Sequence, residues 1–494
     1  MSTFTLTLLK DFGDHLSPIL VKELRQGLRT RSFTSTLIVF HSLVIVLFCI
    51  RAQGLDEELM KGSFWGSASL LLLMLMPLRA INELNSEAAD GTLDMLTLTS
   101  ISSFRIVYGK WLALFSQCLL VAGSLLPYIV ARYQFGGVEV VRELVALFVL
   151  VLGSAVVTSV LLAFSSQKSV MLRVALTVLL GMAVTPVGIF TTFLVSSSDG
   201  DGMVRGFIAL DAGAQVGIIF AVVAVCVYST YYCLAMGASR IASPSENHST
   251  QKRLIALIAH GVMLIIGLLL CYFSSDEENA FWMLMPLIVL TLITCQDILT
   301  EEMPRYPTAV AGLARRGRVG KLAGGLLHPG WASGVFFAAV LCALPMTLLL
   351  CIWMEEAPHD PLAGPLPFVL LLLLAAFVPT SLRVNRTNLF ANWWVVQIVI
   401  VIASGLFCVF CEVLNSEGLA ELGFVTPLTA LFSSESVHWD RREGFMMWSA
   451  LLNFIWLLAA LVRAHMQFPI YSALEREARL LDQPPKRRAH VPAD

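Results

Sequence analysis

Long unbroken apolar runs separated by short polar stretches set the rhythm of this chain, and alternation of apolar and polar residues is nowhere sustained. The stretch from Ser69 to Leu78, SLLLLMLMPL, is typical. A half-buried strand reads apolar at every second position, whereas a helix surrounded by hydrocarbon reads apolar throughout. About 20 apolar residues cross a bilayer core as a helix, and lipid leaves no partner for an unpaired backbone group, so each long run predicts a membrane-crossing helix. Counted this way, spans are expected at Phe33 to Ile50, Ser63 to Leu78, Trp111 to Ala131, Leu144 to Phe164, Val170 to Val195 and Val216 to Met236. Six more follow at Leu254 to Phe273, Phe281 to Thr294, Trp331 to Trp353, Leu366 to Leu382, Trp393 to Phe410 and Met446 to Val462. The expected fold is an all-α, polytopic transmembrane helical bundle of about twelve spans.

The run between Ser63 and Glu87 holds FW, then LMLMPL, then acids, and Phe281 to Glu302 holds FWMLMPL, then Asp297, Glu301 and Glu302. This echo predicts two six-span halves. The organisation expected is a cytoplasmic segment 1–32, a first half 33–240, a linker 241–253, a second half 254–465 with a cytoplasmic loop 295–330, and a tail 466–494. The segment 412–444, which contains FVTPLTALF, reads either as a piece folded back against the helices or as an ordinary exposed loop.

Composition agrees with the pattern. Of 494 residues, 57% are hydrophobic and 14% charged, too little polar surface to cover a water-soluble globule. The net charge of -2 points to no nucleic-acid partner, so the placement of charges is the informative quantity. Basic residues gather on one set of connections: Lys22, Arg25 and Arg29 before the first span, Arg315, Arg316, Arg318 and Lys321 after the eighth, and Lys486, Arg487 and Arg488 in the tail. Cytoplasmic ends follow from that bias. The opposite loops carry acid, as in SSDEEN and MEEAPHDP. No cleavable leader is expected, because the first apolar run lacks a small-residue cleavage pattern. Most of the ten cysteines lie inside apolar runs, where they pack as small hydrophobes, so no disulfide scaffold is expected.

Two polar segments stand out. On a helix, Glu83, Glu87, Asp90 and Asp94 line one narrow stripe while Ile81, Leu84, Ala88, Met95 and Leu96 fall opposite. Such a helix lies against the bundle by its apolar face and offers acid to a basic partner; a solvated face with no partner is the plain alternative, and Gly91 favours an end before Asp94. Upstream, SPILVKELRQGLRTR begins with Ser17 and Pro18, suited to a helix start. Leu20, Val21, Leu24 and Leu28 share one arc and Lys22, Arg25 and Arg29 the next, as in a helix lying along a membrane surface.

The run from Glu83 to Lys110, with acids before Gly91, Thr92, Leu93 and Asp94, then Leu96, a Thr/Ser-rich turn and Gly109-Lys110 opening a span, resembles the permease subunits of type-2 ABC exporters. The upstream VKELRQGLRTR is similar to their amino-terminal elbow helix, which would use Leu20, Lys22, Leu24, Arg25, Leu28 and Arg29. The resemblance implies a coupling segment 79–110 seated on a separate cytoplasmic ATP-binding subunit. Glu83, Glu87, Asp90, Gly91, Thr92, Leu93 and Asp94 would serve docking, with Gly109 and Lys110 at the membrane re-entry. It also implies that this chain performs no bond chemistry and binds no cofactor or metal, with ATP and Mg held by the partner, and that it sits in a bacterial inner membrane as a full translocator, a homodimer or one of two permease chains. The family often has Pro where this chain reads Thr99-Ser100, and the second half has no GTLD-like motif, which leaves the role of loop 295–330 open.

Other chemistry is sparse. RRGRVGK, Arg315 to Lys321, lacks the spacing of a phosphate loop and reads as a basic inner-leaflet loop. His41 and His260 lie within spans and read as packing residues, and span interiors hold almost no carboxylates, which weakens an ion-coupled carrier. That carrier and a non-transporting membrane scaffold are the remaining alternatives.

Overall fold

The computed structural model describes residues 18–52, 57–89, 101–134, 140–166, 170–196, 212–243, 245–273, 277–355, 377, 380, 389–414 and 439–481. The described elements are all helical, with no strand among them, so the protein is an all-α helical bundle. The chain divides by contact into two compact units, Met1–Ala242 and Ser243–Asp494.

In the first unit, α1 (Pro18–Leu28) leads into α2 (Arg31–Ala52), α3 (Glu57–Ser69) and the short α4 (Glu83–Ala89). Then come α5 (Ser103–Gln134), α6 (Val140–Phe164), α7 (Val170–Ser196) and α8 (Ala212–Ile241). The core forms where Phe40, Val44, Trp65, Val121, Leu125 and Leu150 interlock from α2, α3, α5 and α6. Outward faces of α2 and α6 stay apolar, with Ile38, Val39 and Phe148 exposed, as expected of surfaces wetted by hydrocarbon.

Between α3 and α4 the helix changes winding twice. Leu70–Leu75 forms a π-helical turn, in which the Met76 amide donates to Leu71 O at 2.9 Å, and Pro77–Asn82 continues as a 3-10 turn. Pro77 explains the break: it has no amide to donate, and its ring would strike the carbonyl one turn back in a regular α-helix.

The second unit runs α9 (Ser249–Phe273), α10 (Glu277–Leu299), α11 (Thr308–Ala314), α12 (Gly317–Leu327), α13 (Trp331–Glu355), α14 (Leu389–Leu414), α15 (Trp439–His465) and α16 (Phe468–Leu481). α13 packs on α10, α9 and α15, and α16 packs on α11. Asn247 caps α9, accepting the Thr250 amide at 3.1 Å.

The expected count of twelve spans is not supported. Eight segments among the described residues are long and apolar enough to cross a membrane: Arg31–Ile50, Gly62–Ser86, Ser103–Gln134, Val140–Phe164, Ile219–Ile241, Ser249–Leu269, Trp331–Leu349 and Ala450–Leu481. Val184–Val195, Pro286–Leu299 and Asn392–Phe407 are apolar but shorter. These three shorter stretches overlap the expected spans Val170 to Val195, Phe281 to Thr294 and Trp393 to Phe410. The expected span Leu366 to Leu382 lies outside the described residues apart from Phe377 and Thr380, and so does most of segment 412–444.

Candidate functional site

The segment read as an elbow helix is helical, as α1 (Pro18–Leu28). Leu20 is buried and Leu24 and Leu28 are half-buried, while Lys22, Arg25 and Arg29 are exposed. α1 packs along α5. The approach is close at Gly27, where a Cβ would collide with the Gln117 amide group.

α4 supplies the start of the expected coupling segment, and its root is tied to three neighbouring elements. Lys110, buried near the start of α5, donates to Glu23 of α1 at 3.1 Å and lies 3.6 Å from Glu83 of α4. The Leu84 amide donates to the Ser165 hydroxyl after α6 at 2.9 Å. Arg173 of α7 donates to Asn82 Oδ1 at 2.7 Å. Just before α4, Arg79 donates to the Gln117 side chain, to Gly27 O at 3.2 Å and to Thr30 Oγ1 at 2.9 Å, and its guanidinium lies over the Phe33 ring. Ala80 and Leu84 are buried with Val107, Leu161 and Leu234 beneath them.

Among the residues singled out from sequence, Glu83 and Lys110 are therefore brought together, with Glu23 of α1 beside Lys110. Glu83 turns toward Lys110 and Gly109 is buried. Glu87 falls within α4, and Asp90, Gly91, Thr92, Leu93 and Asp94 lie outside the described residues. A groove of about 470 Å³ opens beside the π-helical turn, lined by Leu70, Leu73, Leu161 and Val184 with hydroxyls from Ser69 and Thr177. Among the described residues that line it, none is charged. At one edge Ser69 Oγ and Thr191 Oγ1 share a hydrogen bond of 3.1 Å.

Sequence reading missed two buried charge clusters. In the first unit, Arg132 at the end of α5 lies 2.9 Å from Glu143 at the start of α6, both almost wholly buried, with the Phe64 ring facing the guanidinium and Trp65 Nε1 donating to Glu143 at 3.5 Å. Each charge alone reads as an ordinary loop residue flanking a span; together they close the α5–α6 hairpin.

The second cluster gathers loop 295–330. Lys252 of α9 meets Asp297 at 2.7 Å and Glu301 at 3.2 Å. Arg253 meets Glu301 at 2.7 Å and also donates to Leu326 O, Gly330 O and Ser333 Oγ. Ser249 Oγ and the Gly330 amide donate to the same Glu301 carboxylate. Burial would raise that carboxyl, but Arg253, Lys252 and the two neutral donors outweigh it and hold its pKa at about 2. Gly330 has φ of 109°, and a Cβ there would lie 2.8 Å from the Tyr471 hydroxyl, so only glycine fits. Tyr471 of α16 donates to Pro329 O at 2.9 Å. His328 lies 2.9 Å from Glu475 of α16; burial lowers the His328 pKa against the upward pull of Glu475.

His41 and His260 each place Nδ1 within 3 Å of the carbonyl one helical turn back, at 2.9 and 2.7 Å. Among the described residues no group of three His, Cys, Asp or Glu is arranged to hold a metal ion. No family model, curated protein or solved structure matches this chain.

Proposed function

We propose that this chain is the membrane-spanning permease subunit of an ATP-driven exporter, moved by ATP hydrolysis in a separate subunit. The observation that carries the reading is the attachment of α4. Its root is held at once by α5, α7 and the turn after α6, through Lys110, Arg173 and Ser165. A short helix fastened at so many points transmits a push on the segment that follows it to several spans together, which is what a lever for a soluble motor requires. The residues of that following segment, Asp90 to Asp94 with Glu87, offer the motor an acidic, glycine-broken surface.

In this reading the chain sits in a bacterial inner membrane with both termini cytoplasmic, and the two compact units are two related halves. ATP and Mg belong to the partner subunit. The groove beside the π-helical turn, whose described lining is uncharged, favours lipid-like or amphipathic cargo. The π-helical and 3-10 turns lie between groove and lever, and such irregular windings are the usual places for a helix to flex.

A second reading, an ion-coupled carrier, draws on the buried Glu143 and Asp297 and the half-buried Glu301. Each of these already faces a cation, at Arg132, Lys252 and Arg253, and that pairing weakens a role in binding and releasing ions. Sealed vesicles carrying the chain with its ATP-hydrolysing partner separate the two. Uptake of a fluorescent lipid analogue that needs ATP and survives collapse of ion gradients is expected; uptake driven by a proton or sodium gradient without nucleotide overturns the exporter reading.

A further inference from the structure

The connector between α10 and α13 carries a surface that the lever reading does not use. α12 buries Gly320 and Gly324 against the rest of its unit. Opposite them, Val319 is 73% and Leu322 is 81% exposed, the highest exposures of any described large apolar side chain. Residues on spanning helices reach comparable exposure because lipid covers them. Val319 and Leu322 lie outside the spans, where water would meet them.

Exposed cations border this apolar pair. Arg316, Arg318 and Lys321 are all exposed, and α12 itself contains no acid. On the helical wheel Val319, Leu322 and the half-buried Leu326 occupy one arc, with Arg318 and Lys321 on the adjoining arc. The chain also limits how far α12 can stand from the bilayer. It ends at Leu327, and the next span opens at Trp331. A link that short keeps α12 within about 14 Å of the start of the span.

We infer that α12 is a membrane-surface helix that binds anionic phospholipid headgroups through Arg316, Arg318 and Lys321 and inserts Val319 and Leu322 among the acyl chains. Charge selects the occupant. Three exposed cations around an apolar pair match a negatively charged leaflet, whose attraction adds roughly 1 kcal/mol per basic residue, about fivefold in binding for each. α16 adjoins α12 through the His328 to Glu475 contact.

The inference rests on the chain being membrane-embedded, and the test separates that premise from the inference. The full chain is reconstituted in nanodiscs of pure phosphatidylcholine or of phosphatidylcholine with 30% phosphatidylglycerol, and amide hydrogen exchange is followed over 317–327 and over the span 331–349. Span protection in both lipids establishes embedding; span exchange in both removes the premise. With embedding established, exchange in 317–327 is expected to slow by on the order of 100-fold in the anionic discs. The slowing should shrink in 0.5 M salt, as screening requires. The variant R316Q/R318Q/K321Q should lose the lipid difference, and V319S/L322S should lose most of the protection in both lipids while the span stays protected. Equal exchange of 317–327 in the two lipids overturns the inference. So does protection that arises only when an ATP-hydrolysing subunit is added, which would assign the surface to a protein.

Discussion

The roots of the two connectors are held by charge in opposite ways. In the first unit one buried cation, Lys110, gathers two partly exposed acids, Glu23 and Glu83, from separate helices. In the second unit two buried cations on one helix, Lys252 and Arg253, grip two acids at and beyond the end of the next, with the Gly330 backbone and Ser333 completing the set. The first arrangement leaves its acids within reach of water, so it can loosen and reform at modest cost. The second has desolvated both signs, and removing either leaves an uncompensated charge. The first root is therefore expected to give way more easily than the second.

Removing a member of the stronger cluster should give the largest effect. Arg253→Ala is expected to destabilise the second unit by about 3–5 kcal/mol, read by thermal unfolding in detergent, because Glu301 is left buried with one cation fewer. Glu301→Gln should behave alike at neutral pH, and its pH dependence sharpens the point. The folded-state pKa of Glu301 is depressed, so its contribution is fully present above the ordinary carboxyl value of 4.5 and is lost as pH falls toward about 2. The stability gap between wild type and Glu301→Gln should therefore be constant above 4.5 and close toward 2; a gap that widens with acid contradicts the assigned charge state.

Lys110→Ala should cost less, about 1.5–3 kcal/mol, since Glu23 and Glu83 can rehydrate. Its larger consequence should be functional: ATP-driven flux falls while the spans stay protected from exchange. If Lys110→Ala matched Arg253→Ala in stability, the contrast between the two roots would fail. The smallest effect belongs to Ser165→Ala, which removes one neutral hydrogen bond to the Leu84 amide, about 0.5–1.5 kcal/mol. Exchange at the Leu84 amide should rise without a change in α6.

Periodicity made α1 legible: Pro18 starts it, and the apolar and basic arcs are the buried and exposed sides. It also located α4 and its apolar underside, since Leu84 is buried. It placed Glu83 on a face but not against Lys110, because a helical wheel reports direction without the neighbour that fills it. Asp297, Glu301 and Lys252 were each visible as charges near the ends of spans. Their meeting depends on how α9 and α10 pair, which no local pattern encodes. Arg132 and Glu143 were hidden for the same reason. The π-helical turn left no periodic trace in an all-apolar run, and Pro77 was its sole sign.

The central claim is that the segment rooted in α4 receives a separate ATP-hydrolysing subunit. Tagged chain is solubilised from its native membranes, and vanadate-sensitive ATPase activity that co-purifies is measured for wild type and for Glu87→Lys combined with Asp94→Lys. The account predicts activity with the wild type, absence of activity in the chain stripped of partners, and loss of most of it in the double variant while the span 103–134 remains protected from hydrogen exchange. Undiminished ATPase activity with the double variant, or hydrolysis by the chain alone, would contradict it.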